Sequence, residues 1–176
     1  MAKQLHALPL RKMRLTGSAS GAELAVSKQL EGCFSVMSFN MLAQCYTRSE
    51  FFPSVNPKAA LKWKNRGPMI INEIIQYTPD IVCLQECDDW HDFVAPEMER
   101  HGYLGVIKVK TDGKKDGVAV LWRKDKFVFR SSDSIEYGIR SGVGLVVCLS
   151  PVTTPGIAPE QQGENGNISI ANTHLF

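Results

Sequence analysis

Three polar side chains whose chemistry suits phosphate hydrolysis stand at the ends of predicted strands: Asn40, Glu86 and His174. A neutral amide can orient a phosphate or a water, a carboxylate can bind Mg²⁺, and an imidazole can stabilise charge on a phosphoryl oxygen. Because strand ends collect ligands on a rigid frame in α/β proteins, their joint placement predicts metal-assisted phosphodiester hydrolysis.

Each of these side chains also has an ordinary structural explanation. Glu86 lies one residue beyond a wholly apolar segment, where a carboxylate needs a partner. A cap or an ion pair explains Glu86 about as well as Mg²⁺ does, and both interpretations stay open. Taken singly, Asn40 is more often a turn residue, and His174 is more often a packed histidine. Only the set of three favours catalysis.

The elements that position these residues are predicted to alternate between strands and helices before a run of strands. Strands are expected at Cys33–Phe39, Ile81–Leu84, Gly102–Lys110, Gly117–Arg123, Lys126–Arg130, Gly142–Ser150 and Asn167–Thr173. Turn-forming residues predict a hairpin at Thr111–Asp116 and a long polar loop at Pro151–Gly166. This order predicts a mixed α/β layered domain over residues 32–176.

Two helical segments carry a proline. In Ala59–Tyr77 the pattern predicts a short helix, a break at Gly67, and a second helix that starts near Pro68. A further helix is predicted from a cap at Asp88 or Asp89 to about Arg100, with Pro96 in its middle.

Composition supports one globular domain and excludes little else. The 176 residues are 44% hydrophobic and 22% charged, with a net charge of +2 that is too small to identify a nucleic-acid binder. No apolar run reaches the roughly 18 to 20 residues that span a bilayer, so no membrane partner is expected. The five cysteines are odd in number and predict free thiols in a reducing compartment. Cys83 and Cys87 lack a second pair at zinc spacing.

Residues 1–31 are basic, with five Lys or Arg against two Glu, and are predicted to be a leader outside the domain. A disordered leader is the favoured interpretation, and a mitochondrial transit peptide is the alternative. Cytoplasm or nucleus is therefore the default location, with the mitochondrion as the second choice.

A series of ordered motifs carries a family resemblance. The blocks are Val36–Gln44, Leu61–Trp63 with Arg66, Glu73-Ile74, Asp80-Ile81, Cys83–Glu86, Asp116–Ala119, Val143–Val146 and Asn172–Leu175. Together they resemble the carbon-catabolite-repressor, nocturnin and Angel type RNA exonucleases of the endonuclease/exonuclease/phosphatase superfamily. Val118 departs from the Cys that the family's Asp-Gly-Cys-Ala strand carries.

The resemblance implies a fold and a set of roles. The fold is a layered α/β sandwich of deoxyribonuclease-I-like type, with two mainly antiparallel sheets flanked by helices. Asn40 would assist at the scissile phosphate, Glu86 would bind Mg²⁺ or Mn²⁺, and His174 would contact the phosphate. The implied partner is single-stranded RNA or poly(A), cleaved by a 3′ exoribonuclease.

Several aromatic side chains could stack on RNA bases, although packing is the commoner role for such residues. The candidates are Tyr46, Phe51, Phe52 and Trp90.

The chain lacks two motifs that the family places after its Asn-Thr-His-Leu block. Neither an Asp-x-Asn nor an Asp-His occurs anywhere in it. We therefore expect that the C-terminal part of the domain is missing and that this chain is weak or inactive beside a complete parent. The alternatives are a non-catalytic fragment that binds RNA or protein, and a phosphatase for a small phosphorylated substrate.

Overall fold

A computed structural model describes residues 33–138, 142–152 and 166–174. The predicted leader, and most of the predicted polar loop after Pro151, lie outside these residues. The described strands are β1 Val36–Asn40, β2 Ile81–Cys87, β3 Tyr103–Val109, β4 Gly117–Arg123, β5 Phe127–Glu136, β6 Val143–Pro151 and β7 Ile168–Thr173. The α-helices are α1 Trp63–Tyr77 and α2 Ala95–Arg100.

The strands form two sheets. The first sheet has the order β1-β2-β4-β3, with β1 parallel to β2 and the other pairs antiparallel. The second sheet has the order β5-β6-β7 and is antiparallel throughout. The predicted α/β fold with two mainly antiparallel sheets is confirmed.

Hydrophobic side chains fill both sides of the first sheet, which explains why residues 81–84 of β2 and 118–122 of β4 are wholly apolar. One face packs on the helices, where Ile74, Val94 and Met98 meet Leu84 and Leu121. The other face packs on the second sheet, through side chains that include Val120, Trp122, Val147 and Leu149. Alternate residues of a strand point to opposite faces, so a strand covered on both sides has no polar position to spare.

Helix α1 runs without interruption through Gly67 and Pro68, so the predicted break is wrong. Pro68 removes one backbone donor, but the helix continues because Ile70, Ile71 and Ile74 are buried in the core. Gly67 is there for a close contact, since an added Cβ would lie 3.0 Å from a ring carbon of Phe93. A separate 3₁₀ turn, residues 58–61, precedes the helix.

The second predicted helix is a π-helical turn at Trp90–Val94 that leads into α2. Asp89 flanks this turn, but its side chain does not cap it, and instead accepts a hydrogen bond from Trp63 Nε1 at 2.7 Å. Pro96 lies in the first turn of α2, beside the wider π turn, which explains how it is accommodated.

The predicted hairpin between β3 and β4 is present, and β4 has the predicted bounds. β5 is longer than predicted, because residues 131–136 resume pairing with β6 after a register shift between Phe129 and Ser131. Their side chains are exposed, so they carry no apolar alternation that would have predicted a strand. Among the described helices, none has the length and apolar character needed for a membrane span.

Candidate functional site

The three predicted site residues lie together at one end of the molecule, two on the first sheet and one beside the second. Asn40, the last residue of β1, donates a hydrogen bond from Nδ2 to Glu86 Oε1 at 2.9 Å. His174 directly follows β7, and its Nε2 lies 3.7 Å from the same oxygen. The side chains of Glu86 and His174 are 13% and 25% exposed, so the site is shielded but open to solvent.

Glu86 is directed into this site by a β-bulge. β2 pairs with β4 at Leu84 and again at Cys87, but one extra residue separates these positions on β2. Glu86 has a φ of 51°, in the left-handed region that residues other than glycine seldom adopt. Such a conformation costs about 1 to 3 kcal/mol and persists only where the surrounding contacts impose it.

The loop after β1, here called the site loop (residues 41–47), donates successive backbone amides to acceptors around Glu86. Both carboxylate oxygens of Glu86 are thereby hydrogen-bonded, one by the Asn40 side chain and one by a backbone amide. The donors and acceptors are Met41 N to Gln85 O at 2.9 Å, Leu42 N to Asn40 Oδ1 at 2.8 Å, Ala43 N to Glu86 Oε2 at 3.1 Å, and Gln44 N to Asp88 Oδ2 at 2.6 Å.

Arg66 holds the carbonyl side of the same loop. From helix α1 it donates Nη1 to Met41 O at 3.0 Å and Nη2 to Leu42 O at 2.6 Å. Burial lowers the pKa of its guanidinium from the ordinary value, although the charges of Asp88 and Glu86 oppose this. Sequence reasoning assigned Arg66 no role beyond membership of a motif. The sequence feature that could have indicated its role is an arginine on the largely apolar face of a predicted helix.

Asn172 joins the two sheets next to the site. Its Nδ2 donates to Leu84 O at 2.8 Å and Ala119 O at 2.9 Å, and its Oδ1 accepts from Gln85 Nε2 at 2.8 Å. Asn172 is 5% exposed and precedes His174 by two residues on the same strand face. The sequence carried a signal for it, namely a polar residue at an inward position of β7.

Asp88 lies beside the site on a cavity of about 490 Å³. Burial raises the pKa of Asp88 above its ordinary value, although the hydrogen bond from Gln44 and the charge of Arg66 oppose the rise. Other walls of the cavity come from Trp63, His91 and Lys115. The cavity has a volume that suits a small ligand, and sequence reasoning did not predict it.

The donor set at Glu86 fits a hard cation that keeps most of its waters. Mg²⁺ is commonly held by one or two carboxylates, and Glu86 supplies one that is partly open to solvent. In the part of the chain that the structure describes, no three His, Cys, Asp or Glu side chains are grouped so as to hold a metal ion.

A zinc site through Cys83 and Cys87 is excluded by the two-sided sheet. Cys83 packs between the sheets, whereas Cys87 packs on the helix side. Burial raises the pKa of Cys83 to about 11, so its thiol stays protonated at neutral pH.

The aromatic candidates for base stacking have different surroundings. Trp90 is buried in the core, so packing is its role in this fold. Tyr46 is half-buried with Lys110 Nζ 5.6 Å from its ring centre, and Phe51 is 66% exposed. Stacking on RNA by Tyr46, Phe51 or Phe52 stays a prediction.

Similarity to curated proteins matches the motifs. Protein angel homolog 2 from Danio rerio is 37% identical over 154 residues, which cover 81% of this chain and 26% of that protein. Carbon catabolite repressor protein 4 homolog 1 from Arabidopsis thaliana is 34% identical over 176 residues, covering 82% of this chain and 29% of that protein. The chain thus spans less than a third of the length of these relatives.

Solved structures of two relatives share the fold. A crystal structure of ANGEL2, described as a 2′,3′-cyclic phosphatase in complex with adenosine-2′,3′-vanadate, has a TM-score of 0.67 and 31% identity. It aligns with 81% of this chain and 41% of its own. The human Nocturnin catalytic domain with bound sulfate has a TM-score of 0.60 and 28% identity, over 81% of this chain and 49% of its own.

The family profile described as Endonuclease/Exonuclease/phosphatase family matches residues 37–164. This range includes Asn40 and Glu86 and ends before His174. The resemblance predicted from the motifs is confirmed. The chain belongs to the endonuclease/exonuclease/phosphatase family.

Proposed function

We propose that the protein carrying this chain hydrolyses RNA phosphodiester bonds with Mg²⁺ or Mn²⁺, as a 3′ exoribonuclease that acts on single-stranded RNA or poly(A). The observation that carries the proposal is the convergence of Asn40 and His174 on one oxygen of Glu86. The resemblance of the ordered motifs to RNA exonucleases supports the choice of RNA over other phosphate esters.

Each residue has a distinct role in this proposal. Glu86 would hold the cation, which when bound supplies Lewis-acid polarisation of a phosphoryl oxygen. Asn40 orients the Glu86 carboxylate through Nδ2, and its own amide is held by the backbone of Leu42. His174 offers a nitrogen to a phosphoryl oxygen from the opposite sheet. Pre-arranged groups of this kind lower the cost of reaching the transition state.

A 2′,3′-cyclic phosphatase is the second candidate. The specific observation in its favour is the similarity to ANGEL2, whose structure with adenosine-2′,3′-vanadate bears that description. Both reactions break a P–O ester bond, so the same three side chains serve either one. Of the alternatives expected from the sequence, this candidate corresponds to the phosphatase.

For this chain by itself we propose weak or no turnover. Its sequence has no Asp-x-Asn and no Asp-His, the motifs that the family uses for the remaining base, metal and phosphate contacts. A fragment that binds RNA or protein without turnover is the corresponding alternative.

The deciding experiment compares this chain with the longest protein that its transcript encodes. Each is assayed with Mg²⁺ on an oligoadenylate ending in a free 3′ hydroxyl and on one ending in a 2′,3′-cyclic phosphate. Shortening of the first supports the exonuclease, and opening of the second without shortening supports the phosphatase. If both proteins bind the oligoadenylates without turnover, the alternative of a non-catalytic binding fragment is supported.

The role of Glu86 is tested with Glu86→Gln in whichever protein is active. We expect turnover to fall at least about 100-fold, because losing the carboxylate ligand should cost no less than losing a residue that only supports a ligand. The matched control is Glu99→Gln on the exposed surface of α2, which should leave turnover unchanged. Full activity of Glu86→Gln at saturating Mg²⁺ would refute the metal role.

A further inference from the structure

We propose that Tyr46, Lys110 and Asp116 form a positioning network that holds the site loop so that the Ala43 amide stays on the Glu86 carboxylate. The inference deepens the proposed function and rests on Glu86 as the metal ligand.

The network is centred on a buried ion pair. Lys110 Nζ lies 2.6 Å from Asp116 Oδ2, and the two side chains are 3% and 0% exposed. Burial by itself lowers the pKa of Lys110, but the hydrogen bond and charge of Asp116 raise it above its ordinary value. Because desolvating two charges is expensive, a hydrophobic pair of similar size would often be as stable. Stability alone is therefore a poor explanation for this pair.

Tyr46 connects the ion pair to the site loop. Lys110 Nζ lies 3.3 Å from Tyr46 Oη and 5.6 Å from the centre of its ring. The Tyr46 amide donates to Ala43 O at 2.9 Å, and Ala43 is wholly buried. On its other side, Ala43 N donates to Glu86 Oε2 at 3.1 Å. The contacts thus run from the ion pair to the carboxylate through a single tight turn.

The same ion pair is also connected to Glu86 by strand pairing in the first sheet. Asp116 directly precedes Gly117, which pairs with Cys87, the residue after Glu86. Lys110 N donates to Asp116 O at 3.1 Å, which closes the base of the β3–β4 loop. The network therefore fixes the site loop relative to the first residue of β4, and the Glu86 bulge lies between them.

A second ion pair provides a matched control at the other end of β2. Lys126 Nζ lies 2.6 Å from Asp80 Oδ1, and the Asp80 side chain is 1% exposed. Asp80 directly precedes β2, so this pair is about 20 Å from Glu86 along the strand. Loss of either lysine leaves a buried aspartate without its cation, but only one of the two aspartates adjoins the site.

The test compares Lys110→Met with Lys126→Met by amide hydrogen exchange in this chain. We expect both variants to lower the Tm. Exchange of the Ala43 amide, measured relative to the Val120 amide in the core, should accelerate about tenfold or more in Lys110→Met only. Equal changes in the two variants, or no change at Ala43, would overturn the inference.

A milder pair of variants keeps the test decisive if Lys110→Met does not fold. Tyr46→Phe removes the hydroxyl contact with Lys110 and keeps the ring. Tyr103→Phe removes a buried hydroxyl that donates to Pro79 O at 2.6 Å, away from the site. Only Tyr46→Phe should accelerate exchange at Ala43, by a few-fold. Identical Ala43 exchange in the two variants would contradict the network.

Mn²⁺ binding to the longest encoded protein separates this inference from the proposed function. Residues that support a metal ligand typically contribute 10-fold to 100-fold in affinity, so Lys110→Met should weaken Mn²⁺ binding at least about tenfold. If Glu86→Gln leaves Mn²⁺ affinity unchanged, the proposed metal role fails. If Glu86→Gln weakens binding but Lys110→Met changes neither binding nor Ala43 exchange, the positioning network fails.

Discussion

At the scale of single residues, Glu86 shows what sequence reasoning can and cannot predict. Its position after an apolar strand indicated a carboxylate that needs a partner, and the structure provides Asn40 as that partner. The left-handed backbone was not predictable, because it depends on the register between β2 and a strand about thirty residues later. A local pattern contains no information about such a pairing.

The contact between Asn40 and Glu86 gives a prediction about charge. Asn40→Asp would place a second carboxylate where a donor now lies 2.9 Å from Glu86 Oε1. Like charges this close repel, so the variant should be destabilised more at pH 7 than at about pH 4, where carboxylates begin to protonate. Urea denaturation at the two pH values measures this. Asn40→Ala, which adds no charge, is the control, and an equal loss in both variants at pH 7 would contradict the idea.

At the scale of elements, the sequence pattern predicted the bounds of a helix or strand where those bounds depend on local contacts. It failed where they depend on contacts with distant residues. β4 was predicted to the residue because its apolar run and its flanking turn agree. The break in α1 was wrong because the signal of Gly67 and Pro68 was outweighed by burial of the following isoleucines. Of the two predicted capping residues, Asp88 and Asp89, Asp89 holds the N-cap position, but its side chain does not cap because it accepts a hydrogen bond from the Trp63 indole of α1.

The residue that follows helix α1, Thr78, has an unfavourable backbone conformation. Thr78 has φ 43° and ψ 47°, a left-handed conformation in which a β-branched residue is strained and glycine is not. Thr78→Gly should therefore raise the free energy of unfolding by about 1 kcal/mol. Urea denaturation measures the change. Thr111→Gly, at an exposed position without a positive φ, is the control and should not stabilise.

Strands β3 and β4 approach each other too closely for a side chain at Gly117. A Cβ added there would lie 2.2 Å from Lys108 O, a backbone atom that cannot move without disturbing the pairing. Gly117→Ala should therefore cost about 3 kcal/mol or more, at the upper end of overpacking effects. Gly166→Ala, whose Cβ would meet nothing within 4 Å, should cost little. Thermal unfolding of the two variants checks the contrast, and similar Tm values would refute it.

At the scale of the whole molecule, the fold class and the family were predictable because the ordered motifs lie on most of the strands. How the sheets lie on each other was not predictable, since it depends on Asn172 contacting two strands of the opposite sheet. Predicting the three site residues required only strand ends. Predicting Arg66, Lys110 and Asp116 around them would have required knowing which loop packs on which hairpin.

The acid sensitivity of the molecule should depend on Asp80. Burial alone raises the pKa of Asp80, but hydrogen bonds from Lys126 and Ser35 bring it below its ordinary value. The folded pKa is thus depressed, so the stabilisation is present above the ordinary aspartate pKa and is lost as pH falls through the folded pKa. Asp80→Asn should be less stable at pH 7 and lose less on acidification below about pH 4. Tm measured against pH tests this, and parallel curves for the two proteins would contradict it.

The Asn172 bridge also predicts an order of events during folding. Its hydrogen bonds join residues 87, 88 and 53 positions apart along the chain. Closing loops of that length is slow compared with forming a hairpin such as β3–β4. We therefore expect His174 to reach Glu86 only after both sheets have formed and docked. During synthesis, a nascent chain that has folded its first sheet alone therefore holds Asn40 beside Glu86 but has not yet brought His174 to them.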